Sequence, residues 1–102
     1  MGIHTTRVFD KWFDRLKDKH AKSIIEGRIQ RIANNDDFGD VRAISANVSE
    51  MRIDYGPGYR LYLTRRGTTV IILLIGGNKD TQARDIKKAE MLAKTEFKEA
   101  EK

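Results

Sequence analysis

The thirteen residues from Glu50 to Tyr62, EMRIDYGPGYRLY, decide how this chain folds. They read as two strands joined through Gly56-Pro57-Gly58, where glycine permits left-handed backbone and proline presets φ for a turn. Side chains on a strand alternate between faces. Met51, Ile53, Leu61 and Leu63 therefore share one face, and Glu50, Arg52, Asp54, Arg60, Tyr62 and Thr64 share the other. With Gly56 to Gly58 as the loop, Tyr55 is expected opposite Tyr59, Asp54 opposite Arg60, Arg52 opposite Tyr62 and Glu50 opposite Thr64. A one-residue slip would mix the two sets, so the pattern specifies the faces. The oily face requires helices over it. The other face gathers arginines, acids and a tyrosine.

Working outward, Ile3 to Thr5 reads as a short opening strand. Thr5 or Thr6 is suited to cap a helix. Val8, Phe9, Trp12, Phe13 and Leu16 follow as one amphipathic stripe, which makes Trp12 a core residue. Asp18 can cap a second helix carrying Ala21, Ile24, Ile25, Ile29 and Ile32, with Gly27 marking a close helix crossing or nothing. Asn34 to Asp37 ends it, and Val41 to Ile44 reads as a strand. Val70 to Ile75 is apolar at every position and is expected to be a strand with little solvent on either face. Asp80 or Thr81 is expected to cap a last helix with Ile86, Ala89, Ala93 and Phe97 on its apolar stripe, and the charged end from Lys94 is expected to fray. The expectation is an α+β fold: two N-terminal helices and one C-terminal helix packed on one face of a mainly antiparallel sheet, the hairpin's charged face left open.

At 102 residues the chain is the size of a single domain, spanning residues 1–102. It has no cysteine, so disulfides and zinc-thiolate sites are excluded. No apolar run is long enough to cross a membrane, the longest being Val70 to Ile75. The expected setting is the cytoplasm. The formal net charge of +5 biases the domain toward a polyanionic partner such as nucleic acid. His4 and His20 have no companion at metal-ligand spacing, so no metal and no cofactor is expected.

No hydrolase or phosphate-loop motif is present. What remains is a set of cations placed to converge on the hairpin's charged face: Arg52, Arg60, Lys79 after the buried strand, and Arg42 before the hairpin. Tyr62 offers a ring on which a base could stack. Arginines present paired donors to phosphate, and they stabilise the extra negative charge that phosphate acquires in its transition state. With the ribose 2′-hydroxyl as attacking group, RNA can be cut without a protein nucleophile. The competing reading is ordinary solvated pairing: Asp54 with Arg60 as a cross-strand ion pair worth less than about 1 kcal/mol, and Glu50 neutralising Arg52.

Three segments carry a family resemblance: F-x-x-W-F-x-x-L at Phe9 to Leu16, S-E-M-R-I-D-Y-G-P-G-Y-R-L-Y at Ser49 to Tyr62, and L-L-I-G-G-N-K-D-T-Q-x-x-D-I at Leu73 to Ile86. Together they resemble the HigB-like addiction-module killer proteins of the RelE/ParE toxin superfamily. The resemblance implies the toxin of a type II toxin–antitoxin system. Such a toxin inhibits translation as a metal-independent endoribonuclease that cleaves mRNA, typically on the ribosome. It implies a cognate antitoxin, usually a helix-turn-helix DNA-binding protein. Arg52 and Arg60 fall on the family's two hairpin arginines and Lys79 on its basic residue after the last core strand, positions that bind the scissile phosphate. Glu50 is the expected general base, and Tyr62, Arg42 and Arg84 are the expected RNA contacts. The chain departs from the pattern in having no tyrosine after Tyr62, and Arg84 is the nearest substitute for a late arginine. Two alternatives stand beside this one: a ParE-like inhibitor of DNA gyrase, and a non-catalytic binding relative.

Overall fold

A computed structural model of the chain describes residues 1–101, with side chains described through Thr95. The order is β1 (Gly2–Thr5), α1 (Arg7–Asp14), α2 (Lys19–Asn35), β2 (Val41–Ala43), β3 (Ser49–Ile53), β4 (Tyr59–Arg66), β5 (Val70–Asn78), a single 3-10 turn at Lys79–Thr81, and α3 (Gln82–Glu101). The five strands form one mixed sheet in the order β1-β5-β4-β3-β2. Only β1 runs parallel to its neighbour; the other pairings are antiparallel. The α+β class and the mainly antiparallel sheet are as expected.

The helices start where short polar side chains can accept from free backbone N–H groups. Thr6 caps α1, its hydroxyl accepting from the Phe9 amide at 3.0 Å while donating to the Leu74 carbonyl at 2.6 Å. Asp18 caps α2 by accepting from the amides of His20 and Ala21. The third cap differs from expectation. Asn78, rather than Asp80 or Thr81, accepts from the amides of Asp80 and Thr81, and Thr81 answers by accepting from the Asn78 amide. Gly27 marks no helix crossing, since nothing lies within 4 Å of the position a side chain there would take.

Two apolar layers enclose the sheet. Met51, Ile53, Tyr59, Leu61, Leu63, Ile71 and Leu73 pack with Phe9, Ala21, Ile25 and Ile32 of α1 and α2. Tyr62, Ile72, Leu74 and Ile75 pack with Ala89 and Ala93 of α3. Consecutive residues of β4 and β5 thus feed opposite layers, and α3 covers the face that was expected to be open. The apolar run of β5 required cover on both sides, and α3 supplies the second. Phe97 and the end of the chain lie outside the described side chains. A bulge in the β4–β5 ladder between Tyr62 and Leu63 lets Leu74 and Ile75 both join the α3 layer.

The hairpin register is also displaced from expectation. Ile53 pairs with Tyr59, Arg52 with Arg60, Met51 with Leu61 and Glu50 with Tyr62. The loop runs from Asp54 to Gly58, because Gly56 and Gly58 both take positive φ (56° and 78°) and the Gly58 amide donates to the Tyr55 carbonyl. The faces are preserved, since the displacement is by a whole cross-strand pair.

Candidate functional site: a cationic groove at the hairpin

Arg52 and Arg60 are directly paired across β3 and β4, and Lys79 begins the helical turn that follows β5. These three cations line one surface groove of about 370 Å³, together with Asp40, Ile53, Asp54, Gly58 and Tyr59. Gly58 sits between two of them. A Cβ added there would lie 3.4 Å from an Arg60 guanidinium nitrogen and 3.7 Å from the Lys79 Cβ.

Each arginine is held differently. Arg52 is about half exposed and makes a two-point contact with Asp40, Nε to Oδ2 at 3.1 Å and NH2 to Oδ1 at 3.2 Å. Those hydrogen bonds, and then the direct charge of Asp40, raise the Arg52 pKa above its ordinary value. The Arg52 amide also donates to the Asp40 carbonyl, and Arg28 ties β3 to the loop before β2 by donating to the carbonyls of Arg52 and Phe38. Arg60 is only 13% exposed at its side chain. It donates to the Gly58 carbonyl at 2.9 Å, while its Nε lies 3.6 Å from Glu50 and is buried without a hydrogen-bond partner among the described residues. A buried, unpaired guanidinium donor at the rear of a groove is costly unless an acceptor can reach it.

Behind Arg60 lies a buried polar network centred on Glu50. Its Oε1 accepts from Arg42 Nε at 3.0 Å; its Oε2 accepts from the Tyr62 hydroxyl at 3.2 Å and from Gln82 Nε2 at 2.8 Å. Glu50 is 0% exposed. Both oxygens of this carboxylate are occupied and it has no exposed surface, so Glu50 does not stand free as the general base expected of it. Tyr62 is likewise 0% exposed, packed beneath Ala89 and Ala93. Its ring is not a stacking platform for a base. Burial first, and then the charge of Glu50, raises the pKa of its hydroxyl well above 10.0.

Of the residues singled out from the sequence, Arg52, Arg60 and Lys79 therefore come together in the groove. Glu50, Tyr62 and Arg42 form the support behind Arg60. Arg84 is exposed and lines a neighbouring cleft beside Trp12 instead. Sequence reasoning passed over Asp40 as an Arg52 partner and Gln82 as a Glu50 ligand. It took Asp54 as an ion-pair partner of Arg60, yet among the described residues Asp54 makes no hydrogen bond or ion pair and lies open in the groove. Gln82 was visible in the motif that follows Gly76-Gly77, but nothing local indicates that it reaches back to β3. Among the described residues no cluster of His, Cys, Asp or Glu suits a metal ion, and no helix is long and apolar enough to cross a membrane.

The fold and the groove define a class: a small α+β domain with three cations gathered at the turn end of a β-hairpin. No protein-family model matches the chain. It is 45% identical over 91 residues to an uncharacterized protein of Haemophilus influenzae, an alignment covering 89% of this chain and 91% of that one. The chain belongs to the same family as that protein.

Proposed function

We propose that this chain is a HigB-like toxin of the RelE/ParE superfamily that inhibits translation by cutting mRNA in the cytoplasm, on the ribosome. The observation that carries the reading is the gathering of Arg52, Arg60 and Lys79 into one groove, two of them opposed on adjacent strands with no bulky side chain between them and the third. Three cations around one cavity suit a phosphodiester, and they suit its pentavalent transition state better because that state carries more charge. In the proposed step the 2′-oxygen attacks the adjacent phosphorus, the bond to the 5′-oxygen breaks, and a 2′,3′-cyclic phosphate and a 5′-hydroxyl end result. Asp54 replaces Glu50 as the group proposed to accept the 2′-hydroxyl proton, being the carboxylate of the groove that is free of partners among the described residues. The Lys79 ammonium is the proposed proton source for the departing 5′-oxygen. The proposed partners are mRNA, the ribosome and a cognate antitoxin.

A second reading, a nucleic-acid binder without catalysis, is favoured by one observation: the carboxylate beside Arg52, Asp40, is tied to that arginine and so is poorly placed to act as a base. One experiment separates them. The protein is induced in bacterial cells and the 5′ ends of mRNA are mapped, with Arg52→Ala/Arg60→Ala and Asp54→Asn as controls. The toxin reading expects new ends within translated messages that vanish in the double variant and fall about a hundredfold or more when a transition-state donor is lost. Intact messages in arrested cells would transfer the proposal to gyrase inhibition, and unimpaired growth would leave the binding role.

A further inference from the structure

Away from the cationic groove, α1 and α3 leave a second depression that shares no lining residue with it. Two cavities of about 500 and 490 Å³ adjoin there and have Val8, Trp12 and Lys88 in common. Along α1 the floor is apolar. Val8 and Trp12 sit one turn apart on it, and Leu16 follows just past its C-terminal cap, all three half-buried and lining the depression. The Trp12 indole is set by its neighbours, edge-on to Tyr59 with centroids 6.2 Å apart and tilted against Phe9 at 5.7 Å. Its place is not a product of loose packing.

The rim is cationic. Lys11 and Arg15 come from the α1 side, Arg84 and Lys88 from α3. Lys11, Arg15 and Lys88 make no salt bridge with any described residue, and Arg84 reaches Asp85 only at 3.9 Å. Asp85 is the one acid among the lining residues, and it is 4% exposed with Oδ2 accepting from the Thr81 hydroxyl. The rim thus presents positive charge that nothing on this domain's described surface answers.

We infer that this α1–α3 groove is a docking surface for an acidic amphipathic segment of another protein. The segment lays apolar side chains at helical spacing on Val8, Trp12 and Leu16, the helix-in-groove mode, and sets carboxylates against Lys11, Arg15, Arg84 and Lys88. A nucleic acid would satisfy the rim but leave the aliphatic floor in water. An uncharged apolar helix would fill the floor but leave the cations without partners. Only an occupant carrying both features complements the whole surface. The inference stands independently of what the hairpin groove does.

Trp12 is the only tryptophan of the chain, so its emission reports occupancy directly. The probes are a synthetic helical peptide with leucines at i, i+4 and i+8 flanked by glutamates, the same peptide with lysines for glutamates, and a single-stranded RNA oligonucleotide. The glutamate peptide is expected to shift Trp12 emission saturably. Its affinity is expected to fall by at least about tenfold in Lys11→Glu/Arg15→Glu/Lys88→Glu, because three rim charges change sign. The same variant is expected to gain binding of the lysine peptide, which also establishes that it is folded. Val8→Ala is expected to weaken the glutamate peptide without altering the salt dependence. Equal binding of both peptides to the wild-type protein, or no shift with either, overturns the inference. A shift produced by the RNA and not by the glutamate peptide overturns it in favour of a nucleic-acid face.

Discussion

Arg52 and Arg60 stand directly across from each other on β3 and β4. Like charges at opposed positions destabilise a sheet, so a sheet that keeps them must offset the repulsion. Two carboxylates do this. Asp40 takes the exposed guanidinium through two hydrogen bonds, and Glu50 lies beside the buried one. The arrangement leaves the arginines close together, each neutralised by a separate acid, with Lys79 completing the groove. The two arginines are balanced by unequal means, one by an exposed acid that an incoming anion can displace and one by a buried acid that it cannot.

Removing the displaceable acid should therefore strengthen binding. In Asp40→Asn the Arg52 fork loses its anionic competitor and keeps its place through the backbone hydrogen bond between the Arg52 amide and the Asp40 carbonyl. Affinity for a single-stranded RNA oligonucleotide is expected to rise by about three- to tenfold at low salt, with the gain shrinking as ionic strength rises above about 0.1 M, where the screening length is about 10 Å. Fluorescence anisotropy across a salt series measures both. An unchanged affinity would remove Arg52 from the proposed RNA contact. The melting temperature should move little, because both partners are solvent-exposed.

Gly76 and Trp12 make a second pair whose geometry can be tested. A Cβ at residue 76 would fall 2.2 Å from two atoms of the indole, closer than any side chain tolerates. Because the ring is already packed against Phe9 and Tyr59, it cannot withdraw freely. Gly76→Ala should destabilise the protein by about 1–3 kcal/mol, the usual range for overpacking. In a Trp12→Ala background the same change should cost much less, a coupling of about 0.5–3 kcal/mol in a double-mutant cycle followed by urea unfolding. Additive effects would mean that the clash is relieved elsewhere.

Residues whose role is local were legible in the sequence. Thr6 and Asp18 cap helices because a short oxygen-bearing side chain before an apolar stripe has few other uses, and the alternation from Glu50 to Tyr62 sorted the hairpin into its two faces. The three groove cations were legible because strand alternation and the end of β5 bring them to one end of the sheet. Residues whose role depends on a distant partner were not. Glu50 and Tyr62 have the composition of a solvated face, and only the Gln82 side chain and the alanines of α3 arriving over them make that position an interior, with Arg42 reaching Glu50 from the exposed edge strand. The register escaped for a related reason. Gly56-Pro57-Gly58 suits a three-residue loop as well as the longer one, and the choice is made by hydrogen bonds between Tyr55 and its neighbours that leave no mark in the residue pattern.

The buried network also predicts an alkaline dependence of stability with a definite sign. Burial, and then the charge of Glu50, keeps the Tyr62 hydroxyl protonated in the folded chain above its ordinary value of 10.0. The unfolded chain begins to release that proton near its ordinary value, so above it the unfolded state binds fewer protons than the folded one. Stability contributed by this group is therefore present below about pH 10 and lost as pH rises, by up to about 1.4 kcal/mol per pH unit. Tyr62→Phe removes both the titration and the hydrogen bond donated to Glu50. Near pH 7 the variant should be less stable by about 1–3 kcal/mol, since a buried carboxylate loses a donor. Above about pH 10 the gap should narrow, because only the wild-type chain carries the extra loss from Tyr62. Urea unfolding of both proteins at neutral and alkaline pH decides the matter. A gap that stays constant through the alkaline range would mean that Tyr62 titrates alike in the folded and unfolded chains, and that the network around Glu50 opens to water before its tyrosine ionises.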